Sequence, residues 1–141
     1  MTGVQTCALP ICSVAEQCRD TEELKFDLLT DATALDRYPM EPRFELNYQL
    51  ISIPLKQKLR IRVKLSGNDP VVDSLFPVWK GANWLEREIF DMFGIQFTGH
   101  PDLRRILLPD DWEGHPLRKD FPVEGYRDIP AIATRYTRSR P

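Results

Sequence analysis

A short phrase that combines histidine, proline and basic residues occurs twice in the second half of the chain. The first copy begins at Gly99-His100-Pro101, and the second begins fifteen residues later at Gly114-His115-Pro116. A leucine and two basic residues follow each copy. Imidazoles can bind metals, whereas guanidinium groups bind carboxylates and phosphates. The two Gly-His-Pro phrases are therefore compatible with a metal site, a phosphate site or a surface that binds other proteins.

Carboxylates just before the first phrase supply the other ligand types of a metal site or an acid-base site. On a helix, at 100° per residue, Glu86 and Glu88 lie about 160° apart and cannot both face one ion, whereas Glu88 and Asp91 share a side. Arg87 stands four residues before Asp91, a spacing that predicts an ion pair along the helix. We rank such pairing above a stand-alone metal-dependent enzyme built on Glu88, Asp91 and His100, which is kept as a distant alternative.

Sequence motifs that hold nucleotides or redox cofactors are missing. There is no Gly-x-Gly-x-x-Gly, no P-loop and no Gly-x-Ser-x-Gly elbow for a nucleophile. Cys7, Cys12 and Cys18 have the spacing neither of zinc-binding pairs nor of a ferredoxin cluster, and we interpret them as ordinary thiols. We expect no catalytic residue, no metal ligand and no cofactor-binding residue in this chain.

Protein recognition is the interpretation that best fits the two phrases, although an ordinary surface loop is the simpler alternative. Proline biases the preceding histidine toward extended backbone, and arginine forks bind carboxylates and carbonyls directionally. Trp112 and the trio Ile106-Leu107-Leu108 have the aromatic and apolar character of interface anchors. We predict a partner interface that contains Glu86, Arg87, Glu88, Asp91, His100, Arg104, Arg105, Trp112, His115, Arg118, Lys119 and Asp120.

Length and composition limit the class of protein. The chain has 141 residues, of which 42% are hydrophobic and 28% charged, with a formal net charge of -2. These values are typical of one globular domain with a single core. The near-neutral balance argues against nucleic acid as the main partner. No run approaches the roughly 20 apolar residues of a spanning helix, so we expect any membrane association to be indirect.

Alternating apolar residues predict three strands ahead of the phrases: one near residues 25–33, one from Phe44 to Leu50 and one from Leu59 to Leu65. Two prolines predict a turn at residues 38–42, and the short link between the last two strands predicts an antiparallel hairpin. The alternation slips at Leu50-Ile51, which indicates a bulge or burial on both faces. We interpret the basic stripe on the third strand as its solvated face, formed by Lys58, Arg60, Arg62 and Lys64.

A helix over residues 84–93 is predicted to position the carboxylates. Asn83 suits the N-cap, and Glu86 stands at the capping-box position three residues later. Gly94 suits a left-handed C-terminal cap. A short helical or turn segment is predicted around residues 72–79. The apolar face of the main helix is formed by Leu85, Ile89, Met92 and Phe93.

The segment beyond Gly94 lacks the periodicity of a helix or strand. Six of the chain's twelve prolines lie between residues 101 and 141, so no helix or central strand can extend through it. Its apolar side chains exceed what one small core accommodates. We therefore expect this segment either to wrap around its own domain or to lie on another protein.

Together these residues resemble a known family. Glu86-Arg87-Glu88, Asp91-Met92-Phe93-Gly94 and the first phrase through Ile106-Leu107 are similar to the signature of the 30 kDa subunit of respiratory complex I, also called the C subunit of the bacterial NADH-quinone oxidoreductase. The continuation to residue 122 and the stretches FDLLTDATALD and PRFELNYQLIS resemble the same family. The resemblance covers about residues 20–125.

The resemblance implies an α+β fold: a two-layer domain with a mixed, largely antiparallel sheet packed by helices, plus an extended irregular C-terminal segment. Because the family has further elements in front, we expect residues 13–97 to be a truncated α+β domain and residues 98–141 to dock on partners. Residues 1–12 have no clear helical or strand period, and we treat them as a doubtful non-native leader.

The function implied by the resemblance is that of a non-catalytic structural subunit in the peripheral arm of a proton-translocating NADH:quinone oxidoreductase, bracing the redox subunits near the quinone site. FMN and iron-sulfur clusters would belong to partner subunits. The location would be peripheral, on the cytoplasmic side of the bacterial plasma membrane. The alternative is the equivalent subunit of a complex-I-like membrane hydrogenase or of an F420- or ferredoxin-linked dehydrogenase.

In this setting the repeated phrase would act as a docking strap. Arg104, Arg105, Arg118 and Lys119 would pair with carboxylates or carbonyls of a partner. His100 and His115 would cap turns or bond to the partner's backbone.

Overall fold

The computed structural model describes residues 2–6 and 10–125 of the chain, with side chains from residue 10 onward. Within these ranges the chain forms two helices, one four-stranded sheet and one two-stranded sheet. In chain order the elements are β1 (Thr2–Thr6), α1 (Ile11–Asp20), β2 (Leu28–Asp36), β3 (Phe44–Ser52), β4 (Gln57–Leu65), β5 (Val71–Asp73), α2 (Ala82–Phe93) and β6 (Gln96–Thr98). The predicted α+β class is confirmed.

The main sheet has the strand order β1-β4-β3-β2. Strands β2, β3 and β4 are antiparallel, whereas β1 pairs with β4 in parallel, so the sheet is mixed as expected. The predicted hairpin is confirmed, because β3 and β4 pair without interruption from Phe44 opposite Leu65 to Ser52 opposite Gln57. Along β4, Leu59, Ile61 and Val63 are buried. The basic stripe lies on the opposite face, where Lys58 and Arg62 are exposed and the other two basic residues are half-buried.

Strand β2 begins later than its sequence pattern predicted. Lys25 has a φ of 42°, which lies outside the extended region, and Leu28 is 44% exposed instead of facing the core. The register then shifts between Leu29 and Asp31, leaving Thr30 as an extra residue. Strand β3 itself is buried on both faces and pairs with β4 without a shift, so burial on both faces is the alternative confirmed at Leu50-Ile51, while the bulge lies opposite, in β2.

The core lies between the apolar face of the main sheet and the two helices. Phe44 and Tyr48 of β3 are fully buried, and the Phe44 ring meets Phe93 of α2 edge-on, with centroids 6.5 Å apart. Helix α1 buries Ile11, Ala15 and Cys18, which follow the i, i+4, i+7 spacing of one helical face. This helix was not predicted; it begins within residues 1–12, as does β1.

Helix α2 confirms the predicted C-terminal cap but not the predicted N-terminal one. Gly94 has a φ of 75° and donates its N–H to Phe90 O, as a left-handed cap requires. The N-cap is Gly81, however, and no side chain caps the helix. Asn83 lies inside the first turn, and Glu86 points into the core instead of back to the N-terminus. The capping-box prediction is wrong because Glu86 binds another element.

The residues before α2 form a strand followed by a turn. Val71–Asp73 pairs in parallel with Gln96–Thr98, and the N–H groups of Val78 and Trp79 then close one turn on Leu75 O. The predicted helical or turn segment is thus a turn. Of the two helices in the described ranges, neither has the length and apolar character that crossing a membrane requires.

Candidate functional site

Helix α2 carries two fully buried carboxylates that face different parts of the structure. Glu86 faces the interior beside β5, and Asp91 faces the segment that follows β6. Five residues on a helix correspond to about 140° of rotation, so the two groups lie on opposite sides. Each forms its own hydrogen-bond network, and both were among the predicted interface residues.

Asp91 anchors the irregular segment that follows the first phrase. Its Oδ2 accepts hydrogen bonds from the backbone N–H groups of Ile106, Leu107 and Leu108, at 3.2, 2.8 and 2.9 Å. Its Oδ1 lies 2.7 Å from Nη1 of Arg105. One carboxylate thus satisfies four donors in a stretch that has no helix or strand partners of its own.

The pKa of Asp91 reflects this arrangement. Burial alone would raise it, but the hydrogen bonds from the three N–H groups and from Arg105 outweigh burial and hold the pKa below its usual value. The native state therefore favours the ionised carboxylate. This contribution to stability is present above the unfolded-state pKa and is lost as the pH falls through the lowered pKa.

The arginines near Asp91 are paired differently from the prediction. Arg87 does not bind Asp91; its Nε and Nη2 donate to the carbonyl oxygens of Arg104 and Arg105, each at 3.2 Å. Arg105 takes the place predicted for Arg87, and its Nη2 also donates to the carbonyl oxygens of Trp112 and Gly114. The predicted ion pair between Arg87 and Asp91 is wrong because the irregular segment offers Asp91 more hydrogen-bond donors than its own helix does.

The second phrase covers the C-terminal end of α2. His115 lies 2.9 Å from Asp91 O through Nδ1, Arg118 donates from Nε to Phe93 O at 2.6 Å, and Leu117 donates its N–H to Met92 O. These are carbonyls that a helix end leaves without intrahelical partners. Burial, followed by the charges of Arg118 and Arg105, lowers the pKa of His115, so a neutral ring with a proton on Nδ1 fits this contact.

The first phrase is held at the other end of α2 by His100. The Nδ1 of this ring accepts the N–H of Asp102 at 3.0 Å, and its Nε2 lies 3.1 Å from Asn83 O. The predicted turn-capping role is confirmed for His100. The backbone atoms that His100 and His115 contact belong to this chain and not to a partner.

Glu86 ties α2 to the strand β5 region. Its Oε1 accepts the N–H of Leu75 at 2.7 Å, and its Oε2 accepts the hydroxyl of Ser74 at 2.6 Å. Burial raises the pKa of Glu86 to about 7, despite the opposing effect of these two hydrogen bonds. The His100 ring is 3.9 Å away, beyond hydrogen-bond distance.

We predict that Glu86→Gln flattens the pH dependence of stability. Because the pKa of Glu86 rises from 4.5 to about 7 on folding, the native state binds the proton more tightly. Its stabilisation is complete below pH 4.5 and is lost as the pH rises through 7. A shift of this size corresponds to about 3 kcal/mol. Urea unfolding between these pH values should show a free energy of unfolding that falls with rising pH in the original chain and stays level in the variant. An equal fall in both would contradict the raised pKa of Glu86.

A second ion-pair network was not predicted and joins the end of the described chain to the main sheet. Arg43 binds both oxygens of Asp36, at 2.9 and 2.8 Å, and also reaches Asp120 at 2.7 Å. Asp36 further accepts the backbone N–H of Lys119 at 2.8 Å. Of the network, only Asp120 and Lys119 were among the predicted interface residues. The signal available in sequence was weak: a charged residue at each end of the turn at residues 38–42.

The other predicted interface residues differ in exposure. Glu88 is exposed on α2, and Lys119 is exposed. The Arg104 side chain is 67% exposed, and within residues 10–125 its one ion pair is with Asp102. Trp112 is half-buried, and its indole N–H has no hydrogen-bond partner among the described residues. Contacts of any of these residues with a partner stay a prediction.

The metal-dependent alternative required Glu88, Asp91 and His100 to converge. They do not: Asp91 binds Arg105, His100 lies beside Glu86, and Glu88 faces outward. Over residues 10–125, the part of the chain with placed side chains, no group of three or more histidine, cysteine or carboxylate side chains is arranged to hold a metal ion. That alternative is wrong for these residues because Asp91 and His100 have different partners and Glu88 is exposed.

Comparison with known proteins gives a consistent assignment. Residues 6–127 match the family described as respiratory-chain NADH dehydrogenase, 30 Kd subunit. The NADH-quinone oxidoreductase C subunit of Trichlorobacter lovleyi is 55% identical over 105 residues, which cover 74% of this chain and 65% of that protein. Its counterpart from Geotalea uraniireducens is 52% identical over 104 residues, covering 74% and 63% respectively. The chain thus spans just under two thirds of the length of these relatives.

Solved structures agree with the fold. The trypsin-resistant fragment (1–134) of Nqo5 is similar with a TM-score of 0.59 and 34% identity, covering 72% of this chain and 81% of that one. A chain of an archaeal respiratory membrane complex, the membrane-bound sulfane sulfur reductase, has a TM-score of 0.64 at 24% identity, covering 96% and 75%, and supports the fold alone. The family match over most of the sequence decides the assignment: this chain belongs to the family of the 30 kDa subunit of the respiratory-chain NADH dehydrogenase.

Proposed function

We propose that this chain is a non-catalytic structural subunit of the peripheral arm of a proton-translocating NADH:quinone oxidoreductase, where it braces the redox subunits near the quinone site. Its family and its relatives, which are named as C subunits of NADH-quinone oxidoreductases, support the proposal. One structural observation carries it. The charged groups around α2 hold residues 100–118 on the domain, while apolar side chains of the same segment, Leu107 and Leu117, are 62% and 53% exposed.

That combination suits a docking surface better than an active site. The hydrogen bonds of Asp91 and Arg105 are used to shape an irregular backbone, and no acid, base or nucleophile among them is left open toward a cavity. Apolar side chains held outward on a backbone of fixed shape are available for burial against a partner. The partner in this proposal is therefore one or more subunits of the same peripheral arm.

The cofactors and the location follow from this role. FMN, iron-sulfur clusters and quinone are bound by partner subunits, notably those that flank the quinone site, and this chain contributes no ligand to them. The chain lies on the cytoplasmic side of the bacterial plasma membrane and reaches the membrane only through its partners. The interface includes the exposed Glu88, Arg104 and Lys119 together with Leu107 and Leu117.

A pull-down from the membranes of the native host tests this function. An affinity-tagged copy of the full chain should bring down subunits that carry flavin and iron-sulfur clusters, and the fraction should oxidise NADH with a quinone. Arg104→Ala together with Arg118→Ala should lower the recovery of these subunits without removing any cluster signal from those that assemble, because neither arginine binds a cofactor.

The outcome also separates the proposal from its alternative. Co-purification with hydrogenase subunits, or with an F420- or ferredoxin-linked dehydrogenase, would support the alternative, in which the chain has the same bracing role in a complex-I-like assembly. Recovery of the chain without any redox subunit would contradict both.

A further inference from the structure

Arg118 is a half-buried arginine whose position is fixed at one end of its guanidinium group. Its Nε donates to Phe93 O at 2.6 Å, and its Cζ lies 5.3 Å from the centre of the Phe44 ring. The hydrogen bond and the ring hold the plane of the group against the C-terminal end of α2. The two terminal nitrogens, Nη1 and Nη2, are therefore presented in one orientation.

These two nitrogens have no hydrogen-bond acceptor in the part of the chain that the structure describes. Arg43 and Arg105 each bind a carboxylate, whereas Arg118 takes part in none of the described ion pairs. The nearest acidic residues are engaged elsewhere, because Asp36 and Asp120 both bind Arg43. Burial and then the charge of Arg43 lower the pKa of Arg118, and they outweigh the opposing attraction of Asp120 and Asp36. A partly desolvated cation whose terminal nitrogens touch no carboxylate is costly, and a carboxylate in direct contact lowers that cost.

A cavity of about 630 Å³ opens beside Arg118. Its wall includes Gly67, Asn68, Val71, Gly94 and Gln96. Gly94 matters to the guanidinium, because a Cβ at this position would lie only 2.7 Å from Nη2. Position 94 therefore requires glycine for two reasons: the left-handed backbone of the helix cap and the close approach of Arg118.

We infer that this cavity receives an acidic side chain from a partner subunit, whose carboxylate pairs with Nη1 and Nη2 of Arg118. The inference rests on the proposed function and adds to it the chemistry of one contact. Paired terminal nitrogens match the two oxygens of a carboxylate. Asp69 also lines the cavity, and its negative charge opposes a free, multiply charged anion more than a single carboxylate. Val71, 49% exposed at the wall, offers apolar contact to the stem of a protein side chain.

Carbodiimide cross-linking in the purified native complex tests the contact directly. Arg118→Lys places a primary amine at the cavity, and the reagent should couple it to an aspartate or glutamate of another subunit, which mass spectrometry of the digest identifies. The matched control is Arg19→Lys, because Arg19 pairs with Asp20 of its own helix at 2.7 Å. It should give only a link within the chain. A link from position 118 to this chain's own acids alone, such as Asp69 or Asp120, or no link at all, overturns the inference.

Retention of the subunit gives a second readout that does not depend on cross-linking. Arg118→Gln should lower the fraction of the chain that stays with the complex in raised salt by roughly tenfold or more, whereas Arg19→Gln should leave it unchanged. Equal retention of the two variants overturns the inference. If the Arg118→Gln chain is degraded in the cell, the cross-link from Arg118→Lys decides: a link to another subunit supports the inference, and its absence overturns it.

The two proposals fail in different ways. If the proposed function is wrong, the original chain brings down no flavin- or cluster-bearing subunit. If only the Arg118 contact is wrong, the original complex assembles and both glutamine variants are retained equally.

Discussion

Asp91→Ala is expected to release residues 100–118 from α2 and to lower the free energy of unfolding by about 3–5 kcal/mol. The substitution removes the acceptor of three backbone N–H groups, those of Ile106, Leu107 and Leu108. It also leaves Arg105, with only 13% of its side chain exposed, without its carboxylate. Orphaned donors and an unpaired buried charge both favour an open segment. Urea unfolding measures the loss of stability, and trypsin cleavage after Arg104 or Arg105 should become much faster.

Asp102→Ala is the matched control for this prediction. Asp102 also pairs with an arginine of the first phrase, but its side chain is 48% exposed and that of Arg104 is 67% exposed. Such surface pairs contribute at most about 1 kcal/mol. If Asp91→Ala and Asp102→Ala had similar effects on urea unfolding and on trypsin cleavage, the anchoring role of Asp91 would be refuted.

Strand β4 could be predicted because one of its faces is buried and the other is partly or fully exposed to solvent. Leu59, Ile61 and Val63 are buried, with basic residues between them, so both the pairing with β3 and the facing direction of β4 follow from a period of two. Strand β2 was harder to place. Its bulge at Thr30 breaks the period, and Lys25 turns the chain before the strand begins.

The helix was predicted in place, but its acidic residues were given the wrong partners. A pattern within the helix can indicate only local contacts, such as the capping box of Glu86 and the pairing of Arg87 with Asp91. The actual partners of Glu86 lie eleven and twelve residues earlier in sequence, and those of Asp91 lie fourteen to seventeen residues later. A buried carboxylate binds whichever donors the fold brings to it, and a single sequence does not reveal that arrangement.

The repeated phrase illustrates the same limit. Its residue types correctly indicated directional bonds to carbonyls and carboxylates. Arg105 and His115 make such bonds, but to groups of this chain, so the segment wraps around its own domain over the described residues. In the proposed function, the partner surface then includes side chains that these bonds leave outside, Leu107 and Leu117 among them.

The second large effect concerns the ion pair between Asp36 and Arg43. Arg43→Met is expected to lower the free energy of unfolding by about 3–5 kcal/mol, because it leaves Asp36, whose side chain is 2% exposed, as an uncompensated buried charge. It also frees Asp120, through which the end of the described chain is tied to the sheet. Asp36→Ala together with Arg43→Met should cost less than the sum of the single variants, since removing both charges removes the penalty.

The pH dependence distinguishes this ion pair from a simple loss of packing. Burial would raise the pKa of Asp36, but the hydrogen bonds from Arg43, Lys119 N–H and Tyr38 N–H hold it well below its usual value. The pair therefore stabilises the native state above the unfolded-state pKa, and this contribution is lost as the pH falls through the lowered pKa. In Arg43→Met the pKa of Asp36 rises, so acid unfolding should begin at a higher pH than in the original chain. An unchanged acid-unfolding midpoint, with single-variant costs that simply add, would show that Arg43 acts through packing against Tyr38 and Phe44 instead.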